Sequence, residues 1–156
     1  MLDFILQNKP VLVGLHLGFA ILGIDFLLWL LGELVANAKN QRRMRWVAWG
    51  AVISFAFSWL IGGYYYVKFY GSIVKPVILG SVAPWAHQVV MESKEHIFLF
   101  ILPLSVTILL LTMLTGQEFN DAGLKRAVKK LTAITALLAL LIGLMGFVIS
   151  AAARWA

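Results

Sequence analysis

The chain has 156 residues, of which 62% are hydrophobic and 13% charged, with a formal net charge of +6 and a mean hydropathy of +0.90. Soluble domains run nearer half apolar and a quarter charged, and a chain this short has no core large enough to hide so much apolar surface, so a soluble domain is excluded. The length excludes a multidomain enzyme or a large transporter with inverted repeats; the lack of cysteine excludes disulfides, thiolate metal sites, iron–sulfur clusters and thioether-linked haem.

In chain order, the opening residues Met1 to Phe4 lack the basic start of a secretory signal, and the apolar run after Lys9 is too long for a signal core. No cleaved signal peptide is therefore expected. A first spanning helix is predicted over 10–35, apolar except for His16, Asp25 and Glu33. A basic connection with Lys39, Arg42, Arg43 and Arg45 follows, then a second helix over 46–69. Residues 70–86 carry Gly71, Pro76, Gly80 and Pro84 and read as an irregular segment over the bundle end. A third helix is predicted over 86–115, stopped by Gly116, and a fourth over 122–153, with Asn120 or Asp121 as its cap. Each segment is long enough to cross the roughly 30 Å of a bilayer core as a helix, and none shows the alternation of a barrel strand.

Eight of the thirteen Lys and Arg fall in two connections: the four just named, and Lys125, Arg126, Lys129 and Lys130. The positive-inside rule puts both connections in the cytoplasm and both termini outside. Trp46, Trp49, Trp85 and Trp155 fall near the predicted boundaries, as an interfacial belt does. The expected fold class is thus all-α: an integral membrane four-helix bundle, one transmembrane domain over 1–156, in a bacterial-type cytoplasmic (inner) membrane. The positive charge labels topology, and no nucleic acid is expected as a partner.

Titratable groups at membrane depth are costly and mark candidate sites. His16 lies about six residues, or roughly 9 Å, inside the outer end of the first helix. Its face continues through Leu12, Ala20, Gly23 and Leu27, where small residues leave room for a flat porphyrin or for close helix contact. His96 enters the third helix from the same surface and reaches a similar depth. Two neutral imidazoles on separate helices can bind one metal centre in a bundle core. The face of His96 runs through Glu92, Leu99, Phe100, Pro103 and Thr107. Ser54, Ser58 and Gly62 with Tyr65 or Tyr66, and Ala136, Ala139, Gly143, Gly146 and Ser150, form small-residue stripes on the second and fourth helices.

The run from His87 to His96 is the densest polar cluster. Glu92 and His96 are four apart, hence on one helical face, and with His87 and His16 they form a candidate ligand set for non-haem zinc, iron or manganese. A solvated helix start is the plainer reading of this run, and Lys94 and Glu95 are assigned to it. Asp25 sits about 180° around the first helix from His16. It reads as a proton-handling carboxyl continued by Glu33, as a bonded packing residue, or as a contact with another subunit; Glu92 is a second proton-handling candidate. Tyr64, Tyr65, Tyr66, Lys68 and Tyr70 read as interfacial anchors, with Tyr65 and Lys68 also placed to hold haem propionates or a quinone head group.

With His16 and His96 on separate helices, the layout resembles the four-helix membrane b-type cytochromes, including the haem-bearing anchors of respiratory dehydrogenases. The resemblance covers most of the chain as topology and implies haem b, electron transfer and a quinone partner. Three histidines allow one bis-His haem, with His16 and His96 as axial ligands and His87 as a substitute or a second-role residue. The expectation is an electron-transfer or cytochrome subunit, working with other membrane redox subunits or a second copy of itself, rather than a self-contained enzyme. The alternatives are a membrane metal-binding protein using the His/Glu cluster, and a cofactor-free structural or assembly subunit of a respiratory complex. No catalytic residues are assigned, because no nucleophile–base pair or phosphate-binding loop appears.

Overall fold

A computed structural model describes residues 2–37, 40–114, 117–118 and 123–155. The expected loop residue Lys39, the stop at Gly116 and the caps at Asn120 or Asp121 lie outside the described residues. Among the described residues the fold is all-helical, and four helices are long and apolar enough to cross a membrane. A short α1, Leu2–Gln7, leads into α2, Lys9–Val35. Asn8 separates them: its side chain accepts a hydrogen bond from Val11 N at 3.2 Å, and Pro10 takes the first turn, where a missing N–H costs nothing. After a turn through Asn37, a residue type that tolerates its φ of 54°, Asn40 caps α3 by accepting from Arg43 N at 3.0 Å.

The second span begins earlier and runs longer than its hydrophobic run suggests. α3 covers Gln41–Leu79, with a π-helical stretch over Tyr66–Val74. The expected irregular segment is therefore helical as far as Leu79. Pro76 removes one rung from the backbone ladder, and the wider turns before it accommodate the gap without ending the helix. The connection reduces to a turn in which Ser81 Oγ donates to Ile78 O at 2.8 Å and accepts from Ala83 N at 3.0 Å. α4 covers Ala86–Met113 and opens with a second π-helical stretch, Ala86–Met91; α5 is Lys125–Arg154.

The helices pack in a ring, α2 against α3 and α5, and α4 against α3 and α5, so α2 and α4 are diagonal partners. Large apolar side chains cover the outside, among them Phe100, Leu144 and Phe147, each more than 60% exposed, as suits a surface facing hydrocarbon. Inside, one apolar cluster fills the half near the basic connections, with Leu27, Leu30, Phe55, Ile101, Ile108 and Val128. A smaller one closes the distal end, around Tyr70, Ile78, Met91 and Ile149. Hydroxyls in the larger cluster bond to their own helices, as Ser105 does to Ile101 O at 2.8 Å and Thr132 to Val128 O at 2.9 Å, so they are packing residues.

A repeated joint sets the α2–α3 spacing. Phe26 lies on Gly50, Phe55 lies on Gly23, and His16 lies on Gly62, with room for no Cβ at any of the three: ring atoms sit 2.8, 2.7 and 2.5 Å from where it would be. His16 thus takes the place in this series that an aromatic ring holds twice before.

Candidate functional site: a polar layer near the distal end

Between the two apolar clusters each helix of the bundle contributes polar or small residues: His16 from α2, Ser58 and Tyr66 from α3, Lys94 and Glu95 from α4, and Gly146 from α5. Ser58 fixes His16. The imidazole Nδ1 lies 2.8 Å from Ser58 O, to which it donates, while Ser58 Oγ lies 3.0 Å from both Nδ1 and His16 O. The Phe98 ring meets the imidazole edge-on at 6.1 Å. Nε2 carries no hydrogen bond among the described residues. A neutral imidazole anchored through Nδ1 on a carbonyl, with Nε2 open, has the arrangement of a metal ligand as well as of a packing residue.

Lys94 and Glu95 are not on a solvated helix start. Both are half-buried and turned into the bundle. The Lys94 ammonium lies 5.9 Å from the Phe98 ring centre, and its Cε packs beside Gly146, 3.5 Å from where a Cβ would stand. One Glu95 carboxylate oxygen is buried with no hydrogen-bond partner among the described residues, beside Tyr66. The helix begins six residues before Glu92, which puts this pair well inside it rather than at its solvated first turn.

His87 sits deeper than the sequence suggests, 3% exposed, with Nδ1 3.1 Å from the Tyr70 hydroxyl and Nε2 3.7 Å from Glu92 Oε1. With the ring proton on Nε2, facing Glu92, Tyr70 donates to Nδ1. The expected pairing of the Glu92 side chain with His96 is not what forms: residues five apart share a face in a π-helical turn, and the Ala86–Met91 stretch brings Glu92 back onto His87. Tyr66 stacks on Tyr70 with ring centres 5.2 Å apart, extending the network toward Glu95.

His96 points the other way. It is exposed, and its Nδ1 lies 2.6 Å from the backbone carbonyl of Glu92, to which it donates. On diagonal helices, one histidine facing inward and the other outward, His16 and His96 do not face each other. Among the described residues no three His, Asp or Glu side chains group closely enough to hold a metal ion. Of the other candidates, Lys68 is exposed, and Tyr65 is half-buried against Phe69 at 6.1 Å between ring centres. Glu33 pairs with Arg43 at 2.6 Å and accepts from Trp29 Nε1 at 3.1 Å. Asp25 is exposed halfway along α2 with no partner among the described residues.

The sequence pointed to His16, His87 and Glu92, and to the stripe that carries Ser58 and Tyr66, but assigned Lys94 and Glu95 to a solvated helix start instead of this layer. No local signal marks Lys94 and Glu95, because acidic residues before an apolar run read as the start of a helix. Comparison of the chain with family models, curated proteins and solved structures finds no match. What the fold defines is a class: an all-helical bundle with four candidate membrane-spanning helices and a polar layer between two apolar clusters.

Proposed function

We propose that the protein is an electron-transfer subunit of a membrane, carrying haem b on His16 and exchanging electrons with a quinone. The observation that carries this reading is His16 itself, held through Nδ1 by Ser58 O with Nε2 open, in a layer of titratable side chains that hydrocarbon would otherwise penalise. When bound, haem b supplies a one-electron couple. The chain's own residues do the rest. Ser58 fixes the imidazole plane, Lys94 brings a positive charge toward the site, and Tyr70, His87 and Glu92 form a line along which a proton can pass.

Both histidines of one chain do not fit a single iron in this arrangement. The reading therefore keeps His16 as the interior ligand and places His96, also with an open Nε2, at the bundle surface. The test is the haem and metal content of the purified full chain. About one haem per chain is expected, falling at least tenfold in His16→Ala. Unchanged haem in folded His16→Ala, or stoichiometric metal without haem, overturns the assignment.

A second reading has its own observation. Asp25 shares an exposed face of α2 with Gly14, Gly18 and Gly32, each with open space where a Cβ would be. A polar side chain in a stripe of glycines is how membrane helices dock, so this face suits a structural or assembly subunit bound to a partner helix. Colourless, metal-free protein that purifies with a larger complex selects this reading.

A further inference from the structure

The basic end of the bundle holds three neighbouring arginines, and two are committed. Arg43 pairs with Glu33 at 2.6 Å. Arg45 caps the end of α4, donating from Nε to Thr112 O at 3.1 Å and from Nη2 to Met113 O at 3.0 Å. Arg42 has no hydrogen bond or ion pair among the described residues and is exposed.

Arg42 also stands at the head of two grooves. One, of about 390 Å³, lies between α2 and α3 and is lined by Phe26, Trp29, Trp46 and Val47 besides arginines 42 and 43 and Asn40. The other, of about 610 Å³, runs down α3 past Arg45, Trp46, Trp49 and Gly50 to Ile53. Trp46, 67% exposed, is the ridge between them, and only Arg42, Trp46 and their helix are common to both. The second groove runs eleven residues from Arg42 to Ile53, roughly 16 Å of helix, which matches one leaflet of a bilayer core about 30 Å thick, while the first is shorter and reaches Val47.

From the unpaired guanidinium and the paired apolar grooves beneath it, we infer that this end binds an anionic two-chain phospholipid. Its phosphate sits on Arg42, with one acyl chain in each groove on either side of Trp46. The charge favours an anionic over a zwitterionic headgroup, and the positive-inside rule puts this end at the leaflet where anionic lipids are enriched. Two grooves flanking one ridge suit two chains, which a free phosphate ion does not have. The site is independent of any redox group at the other end of the bundle.

The full chain, purified in a non-ionic detergent, is titrated with phosphatidylglycerol, phosphatidylcholine or inorganic phosphate, and bound lipid is counted by native mass spectrometry. Phosphatidylglycerol is expected to bind as a retained one-to-one complex, and phosphatidylcholine more weakly. Arg42→Gln should weaken phosphatidylglycerol binding about fivefold. Arg154→Gln, which removes the same charge at the opposite end, should leave it unchanged, and circular dichroism checks that both variants are folded. Three results overturn the inference: equal retention of the two lipids, Arg42→Gln binding phosphatidylglycerol as the native chain does, or inorganic phosphate displacing the lipid at equal concentration.

Discussion

The two ends of the bundle treat charge in opposite ways. At the basic end, charged side chains stay at the helix termini: Arg43 on Glu33, Arg45 on the last carbonyls of α4, with an apolar core between them. At the distal end they turn inward, so that Lys94, Glu95 and His16 lie between two apolar clusters, with the buried Tyr70–His87 pair at the distal one. The same α2–α3 interface runs through both, with the same ring-on-glycine joint. The contrast shows that a helix contact can be built identically with phenylalanine or histidine, and that only the histidine version leaves a nitrogen free for chemistry.

The largest expected effect tests the apolar half. Phe55, 2% exposed and seated on Gly23, should cost about 3–5 kcal/mol when cut to Ala. Denaturant unfolding of the detergent-solubilised protein reads this loss, and the fraction that stays folded should keep any visible spectrum. Next come the two matched joints. Gly62→Ala and Gly23→Ala each put a methyl where a ring already lies, at about 1–3 kcal/mol. Only Gly62→Ala should also change the redox spectrum, because it displaces His16. If the two variants change it equally, the distinction between the halves fails.

One effect of similar size and one smaller follow. Tyr70→Phe leaves a buried imidazole nitrogen without its donor and should destabilise the distal end by about 1–3 kcal/mol, read by the same unfolding assay. Arg43→Gln breaks an exposed ion pair with Glu33 and should have the smallest effect of the set, because solvent screens such pairs. A larger loss from Arg43→Gln than from Tyr70→Phe would reverse the assignment of the buried network to the distal end.

Much of this contrast is visible in the amino-acid sequence, and the part that is not has a physical cause. Runs of about twenty apolar residues make the four long helices legible, because length and hydrophobicity alone decide whether a helix can span. His16 stands out as a lone imidazole in such a run. The network around His87 does not, because a π-helical turn changes which residues share a face, and the 3.6-residue period assigns Glu92 to His96 instead of His87. Lys94 and Glu95 are misread for a related reason: the acidic residues Glu92 and Glu95 before an apolar run look like a helix start, while the helix has already begun at Ala86. His96 is hidden differently, since matching depth on two helices says nothing of whether two side chains face each other.

The most direct test of the account is the reduced-minus-oxidised visible spectrum of the purified chain, recorded beside His16→Ala and Phe55→Ala. The account predicts a b-type haem band in the native chain, its loss in His16→Ala, and its survival in whatever fraction of Phe55→Ala remains folded. A native chain without the band, or a band unchanged in folded His16→Ala, would contradict it.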